Sequence, residues 1–358
     1  MAMSGGVDSS VSAYLLKKEG YDVVGVFMHC WPATGWPCTE DRDRADAIEV
    51  AEKLEIPFLV WDFEKEYKNR VMDYFYREYK SGRTPNPDSY CNREIKFGLF
   101  LERALKELEA DFIATGHYAR IARRLNLREG LTLLRGIDEK KDQSYFLYTL
   151  GQHELSKTIF PVGGMIKSDV RKIAKEIGLS NFDKKGTSGI CFIGKVNIHD
   201  FLKKEILEKP GNVIDTEGNI IGRHIGVWFY TIGQRHGFTT NSKHKWAGLP
   251  LYVVSKNVEK NELVVGWGEE VEKKEFFVSE LNWINPGGIA SPDCHRDRND
   301  IFCGVRIRHL GEIYKCKIID FGKEKLKVEL EESARGVATG QNAVFYDGEV
   351  CLGGGVIQ

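Results

Sequence analysis

Three stretches of this 358-residue chain carry residues whose types and spacing can do chemistry. The first is Met3-Ser4-Gly5-Gly6-Val7-Asp8-Ser9-Ser10, followed at once by the helix-like run Val11 to Lys18. Two glycines present backbone N–H groups with no Cβ in the way, and a helix N-terminus behind them adds roughly half a positive charge. Together they make an anion site suited to phosphate. No Gly-Lys-Ser/Thr follows, so this is not the Walker loop. The second stretch runs from Ser81 to Asn92. There Pro85 and Pro87 stiffen a loop, and Asn86 and Asp88 favour turns. Helix is expected from about Asn92 through Leu108, which would set Cys91 near a helix N-terminus, where the dipole lowers a thiol pKa. A small buried residue at a loop–helix junction is the other reading of Cys91. In the third stretch, Gly186 to Gly194, Cys191 lies between glycine-rich flanks that suit an exposed thiol on a mobile loop.

The elements that must hold these residues follow from the apolar pattern. Asp22 to His29 is a near-continuous apolar run, as a buried parallel strand should be. Thr39 is placed to cap a helix running through Arg44 to Leu54, and Phe58 to Asp62 is the next strand. A charged, aromatic-rich helix is expected from about Glu64 to Tyr79. Strand, helix, strand, helix in this order implies a doubly wound parallel α/β sheet with ligands at the strand C-termini, where the Gly-Gly loop sits. Only Met1-Ala2-Met3 precede Ser4, against about five or six residues in an average strand, so the first strand is expected to be barely present. Asp111 to Ala119 is expected to be a further strand ending in a glycine turn at Gly116, with His117 read as structural. Lys141 to Tyr148 mixes charged, amide and aromatic groups, the types that contact phosphates and stack on bases, although an amphipathic helix start has the same composition. A helix from Ser168 to Ile177 is closed by Gly178.

From about residue 200 the character changes. Residues 200–267 have the short runs and hairpin signal of a small α+β domain. The alternating runs beyond them suit a β-sandwich or small barrel. The expected domains are therefore 1–199, 200–267 and 268–358. Hydrophobic content of 42% and charged content of 29% describe a globular protein with a real core. No apolar run reaches the ~18 residues of a membrane span, so no membrane partner is expected. Without a secretion signal the protein is expected to be cytoplasmic. Its eight cysteines are then mostly reduced, and they form no metal-ligand pairs, so no metal site is expected. Net charge is −1, which excludes a global basic signature. Residues 115–200, however, carry fifteen Lys/Arg against nine Asp/Glu, a local footprint that a phosphate backbone can use.

Ser4-Gly5-Gly6-Val7-Asp8-Ser9 resembles the pyrophosphate (PP) loop of the ATP pyrophosphatases, which cleave ATP between the α and β phosphates and adenylate a substrate. Further motifs follow in order: Gly82 to Asp88 with Cys91-Asn92, Ala114 to Arg120, Lys141 to Leu147, Gly189-Ile190-Cys191-Phe192, Tyr230 to Arg235, and Ala343 to Gly355. With these the chain resembles, over essentially its whole length, the tRNA-specific 2-thiouridylase (MnmA/TrmU) family. The resemblance implies a PP-loop catalytic domain, a small central domain and a C-terminal β-barrel that contacts tRNA. ATP with Mg²⁺ would sit on Ala2, Met3, Ser4, Gly5, Gly6, Val7, Asp8 and Ser9, with Met28 and Gly116 completing the pocket. A wobble uridine of the tRNA anticodon would be flipped toward Asn86, Pro87 and Asp88, because its C2 carbonyl is inaccessible while stacked. Adenylation of that carbonyl would make AMP the leaving group. Cys191, loaded as a persulfide by a sulfur-relay or cysteine desulfurase protein, would supply sulfur, Cys91 would release it by attacking Cys191, and Asp88 would be the acid/base. Lys141, Asp142, Gln143, Arg308 and His309 match tRNA-contacting positions. An iron–sulfur cluster on Cys91, Cys191 and Asp88 is left open but not expected. The alternative is another PP-loop pyrophosphatase that acts on tRNA or a small molecule with an amine or ammonia nucleophile.

Overall fold

Strand β1 (Gly25–His29) is buried on both faces because Phe27 enters one apolar layer while Val26 and Met28 enter the other. The computed structural model describes residues 1–31, 40–123, 130–184, 197–241, 244–285, 296–297, 300–320 and 325–358. On the Phe27 side lie α1 (Val7–Lys18) and α2 (Glu40–Lys53), joined there by α5 below. Strand β2 (Phe58–Asp62) pairs with β1 in parallel. On the Val26 and Met28 side lie α3 (64–80) and α4 (87–107), both of which change to π winding midway, at Lys68–Met72 and Asn92–Leu99.

Met1–Met3 is short but fully seated. Met3 N–H donates to Val26 O at 2.8 Å, and Ala2 N–H donates to Ala114 O at 2.8 Å. The segment thus lies between β1 and β3 (Ile113–Ala114), and β3 pairs in parallel with β6 (Thr158–Ile159). The strand order is β2, β1, Met1–Met3, β3, β6. The chain direction across the sheet reverses between Met1–Met3 and β3, which is where an open α/β sheet binds its ligand.

The expected strand over Asp111 to Ala119 is divided. Ile113–Ala114 stays in the parallel sheet. The hairpin β4 (Ala119–Arg123) and β5 (Leu131–Arg135) instead leaves it, and Leu134 pairs with Val350 of the C-terminal sheet. Helix α5 (Lys167–Glu176) then packs its Val170 and Ala174 beside α1. The central domain is a five-stranded sheet of β7 (Gly211–Ile214), β8 (Ile220–His224), β9 (Thr239–Thr240), β10 (Tyr252–Asn257) and β11 (Glu262–Gly266). Its β7–β8 turn forms because Asp215 Oδ1 accepts from the N–H groups of Glu217 and Asn219, with Gly218 at φ +91°.

After β12 (Glu272–Trp283) and the short β13 (Arg296–Asp297) come β14 (Asp300–Arg306), β15 (Tyr314–Asp320), β16 (Lys325–Arg335), β17 (Asn342–Asp347) and β18 (Val350–Ile357). Their order is β12-β16-β15-β14-β17-β18, and β18 returns to β12, which closes a six-stranded barrel. Cys303, Cys316 and Cys351 are free thiols. Cys38, Cys191 and Cys294 lie outside the described residues. Among the described residues no helix is long and apolar enough to cross a membrane.

A buried carboxylate locks the barrel to the first domain. Asp142, with no exposed surface, accepts from Arg306 Nη1 at 2.8 Å and from the backbone of Gly136 and Ser144 at 3.1 Å each. Removing Asp142 would leave Arg306, itself 4% exposed, as an unpaired buried charge. Asp142→Ala is therefore expected to cost about 3–5 kcal/mol in urea denaturation, and Asp142→Leu with Arg306→Met to recover most of it.

Candidate active site

The Gly-Gly loop is wound tightly by its own hydroxyls. Ser9 Oγ accepts from Ser4 N–H at 3.2 Å and donates to Gly6 O at 2.9 Å, where Ser10 Oγ also donates at 2.9 Å. Gly5 has φ +67°, and a Cβ there would fall 2.0 Å from Asp43 O, so only glycine fits. Its carbonyl accepts from Asn181 Nδ2 and Lys184 Nζ, each at 3.0 Å, and Lys184 also pairs with Asp43 at 2.6 Å and with Asp46. The N-cap of α1 behind the loop is Gly6, which has no side chain to cap the first-turn N–H groups, so they suit an anion.

Asp8, in that first turn, receives Lys167 Nζ at 2.6 Å on both oxygens and Tyr118 Oη at 2.7 Å. Lys167 opens α5, the helix end where the dipole disfavours a cation, and Asp8 compensates it. Burial lowers the Lys167 pKa, and the Asp8 charge opposes that shift. Burial first and Asp8 second raise the Tyr118 pKa, so the phenol stays a proton donor. Gly116 passes directly over the loop: a Cβ would sit 2.8 Å from Ser9 N. His117 is buried against Thr115 Oγ1 at 2.7 Å. Burial, with Lys96 nearby, holds its pKa well below the usual value, which fits the structural reading. Met28 is buried near the C-terminal end of β1.

The second stretch differs from expectation. Helix α4 begins at Pro87, not Asn92, because a proline at the first helical position gives up an N–H that would have no partner anyway. Asn86 is the N-cap, its Oδ1 accepting from Ser89 N–H at 3.3 Å. Cys91 is then the fifth helical residue, fully buried, past the turn where the dipole acts most strongly. Asp88 is half-buried in the first turn.

Hydrogen bonds join the two stretches. Tyr118 and Gln143 exchange bonds, Gln143 N–H to Tyr118 O at 2.9 Å and Tyr118 N–H to Gln143 Oε1 at 3.0 Å. Gln143 leads into the 3₁₀ turn Ser144–Phe146, whose Phe146 carbonyl accepts from Asn92 Nδ2 of α4 at 3.4 Å. Phe146 packs against His309 with ring centres 4.3 Å apart and planes tilted by 35°, beside the exposed Arg308. The path therefore runs from Asp8 through Tyr118, Gln143 and Phe146 to both α4 and the barrel.

Family models match three consecutive segments: a tRNA methyl transferase HUP domain over residues 1–195, a tRNA methyl transferase PRC-barrel domain over 199–267, and an aminomethyltransferase β-barrel domain over 273–357. A relative described as tRNA-specific 2-thiouridylase MnmA, from Blochmanniella floridana, is 43% identical over 362 residues, covering 100% of this chain and 95% of its own. Relatives with the same description are 44% identical over 365 residues in Chlamydia trachomatis serovar D and over 363 residues in Bacillus velezensis. Both span 100% of this chain, and 96% and 94% of their own lengths. The chain belongs to the tRNA-specific 2-thiouridylase (MnmA) family.

Ala2 to Ser9, Met28 and Gly116 lie toward the C-terminal ends of neighbouring strands of the parallel sheet, and Asn86, Pro87, Asp88 and Cys91 share one helix start. Lys141 is exposed and Gln143 half-buried. Asp142 departs from the sequence expectation of a tRNA contact: its carboxylate is enclosed and bonded to Arg306, so it shapes the segment instead of meeting a ligand. Cys191 lies outside the described residues. Sequence reasoning missed Tyr118, Lys167, Asn181 and Lys184, which brace the loop. A lysine opening a helix was the one local sign of Lys167.

Gly116→Ala is expected to weaken nucleotide binding about tenfold or more by calorimetric titration, since overpacking of this kind costs about 1–3 kcal/mol. Burial pushes the His309 pKa down to about 4. As pH falls below 6.5 the unfolded chain binds a proton there that the folded chain refuses, so stability drops toward pH 4. His309→Phe should shrink the loss of urea midpoint between pH 7 and pH 5.

Proposed function

We propose that this chain installs sulfur at C2 of a wobble uridine in tRNA, using ATP. The carrying observation is the bonded path from Asp8 through Tyr118 and Gln143 to α4, which joins a phosphate loop and a cysteine-bearing helix into one assembly. ATP enters as its Mg²⁺ complex, with its phosphates on the N–H groups of Gly5 to Ser9. Lys167 lies beside the loop as a fixed cation, and Tyr118 as a neutral donor. The tRNA anticodon docks across Lys141, Gln143, Arg308 and His309, with the flipped base at Asn86-Pro87-Asp88. The C2 oxygen attacks the α phosphorus and pyrophosphate leaves.

The terminal sulfur of a Cys191 persulfide, received from a donor protein, then attacks C2, and AMP departs with the oxygen. Asp88 moves the proton. The Cys91 thiolate attacks the Cys191 Sγ, the uridine keeps the outer sulfur, and a Cys91–Cys191 disulfide remains for a cellular reductant. Because Cys91 is fully buried in the free protein, arrival of the base must uncover it. The site of action is where charged nucleotide and tRNA meet, the cytoplasm.

The test incubates the protein with unmodified tRNA, ATP, Mg²⁺ and a persulfide donor and analyses nucleosides by mass spectrometry. One sulfur should replace one oxygen at the wobble base. Cys91→Ser and Cys191→Ser should each abolish this product while pyrophosphate release from the adenylation step persists. Full thiolation by both variants would instead favour a mechanism without paired thiols.

A further inference from the structure

The segment that carries Asp88 and Cys91 cannot satisfy its own backbone. Pro85 and Pro87 have no N–H, and the Thr84 and Pro85 carbonyls precede the helix. The barrel supplies what is missing. Thr84 N–H donates to Thr339 O at 2.8 Å. Gln341 Nε2 donates to the carbonyls of Thr84 and Pro85 at 3.0 and 3.2 Å. Asn342, 1% exposed, donates from Nδ2 to Ser89 Oγ at 2.7 Å. The Asn342 main-chain and side-chain oxygens accept from Tyr145 and Tyr148 hydroxyls at 3.0 and 3.4 Å. On the other side of the same helical turn, Tyr90 Oη donates to Glu280 Oε2 of β12 at 3.1 Å. Contact is close enough that a Cβ on Gly340, at φ +90°, would lie 2.9 Å from both Thr84 N and Thr84 O.

We propose that residues Thr339 to Asn342 are a positioning strap for the chemistry at Asp88 and Cys91, with Gln341 and Asn342 as its working side chains. The inference rests on the thiouridylase reading and adds to it that the barrel helps build the reactive centre besides meeting tRNA. Gln341 fixes the backbone entering Asn86-Pro87-Asp88 by holding two consecutive carbonyls. Asn342 fixes the rotation of the first helical turn through Ser89, the residue between Asp88 and Tyr90. A shift of this turn moves the acid/base and the thiol together, while the exposed Lys141 and Arg308 keep their places. The loss should therefore fall on turnover and not on tRNA affinity.

The experiment compares Gln341→Glu, which is isosteric but cannot donate to the two carbonyls, with Asn342→Ala, Ser89→Ala and the Ser89→Ala/Asn342→Ala pair. In Gln341→Glu and Asn342→Ala, kcat for thiolation should fall roughly ten- to hundredfold, with KM for tRNA within about twofold. The double variant should be no worse than Asn342→Ala, because both changes remove one bond. In the free protein, amides of residues 84–91 should exchange faster in these variants while barrel amides keep their protection. A raised KM with unchanged kcat would overturn the proposal in favour of a direct tRNA contact. Unchanged exchange at 84–91, or exchange that rises across the whole barrel, would overturn it too. Failure of the thiouridylase reading shows separately, as absence of thiolated tRNA with the unsubstituted protein, because exchange reports the strap without any substrate.

Discussion

The hydrogen bond from Tyr118 to Asp8 is the joint on which the site depends. Tyr118 stands where the chain leaves the parallel sheet for the barrel sheet, one residue before β4. Its hydroxyl meets the phosphate loop, and its backbone meets Gln143. The strand that feeds the loop is only three residues long, although Met1–Met3 is bonded on both sides, to Val26 and to Ala114. Side chains from distant parts of the chain add support: Lys167 and Tyr118 on Asp8, Lys184 and Asn181 on the Gly5 carbonyl. With Asp8 engaged by Lys167, the one carboxylate of the loop is already paired with a cation.

Polar groups, more than apolar contact, set how the barrel meets the catalytic domain. Asp142 with Arg306, Asn342 with Ser89, and Ser144 Oγ with Tyr346 Oη at 3.1 Å are all buried. Buried ion pairs add little net stability over a packed apolar contact, yet they penalise every arrangement that separates the partners. Greasy contact tolerates sliding; a hydrogen bond between enclosed groups does not. This interface therefore specifies one arrangement of α4 against the barrel. That arrangement puts the helix bearing Cys91 beside the turn bearing Phe146 and, through it, His309. In this way a three-domain chain gathers residues more than two hundred positions apart into one reactive region.

Much of this was legible in the residues alone. The Gly-Gly loop, the double-sided apolar run of β1 and the alternating runs of the barrel are local patterns, and local patterns dictate local structure. The start of α4 was not read correctly. Two prolines two apart suggested a loop, but Pro87 takes the one helical position that tolerates proline, with Asn86 as its cap. For Asp142 the family resemblance implies a tRNA contact, whereas its carboxylate is enclosed by Arg306. Nothing local announced Arg306, 164 residues away.

By itself, then, the sequence determined the loop, the buried runs of the parallel sheet and the alternating runs of the C-terminal domain, because each rests on spacing within about a dozen residues. The tertiary structure alone decided which lysines brace Asp8 and Gly5, that β4 and β5 join the barrel, and that Gln341 and Asn342 hold the start of α4. Those contacts join residues with no shared periodicity, and only the closed fold brings their polar atoms within reach of one another.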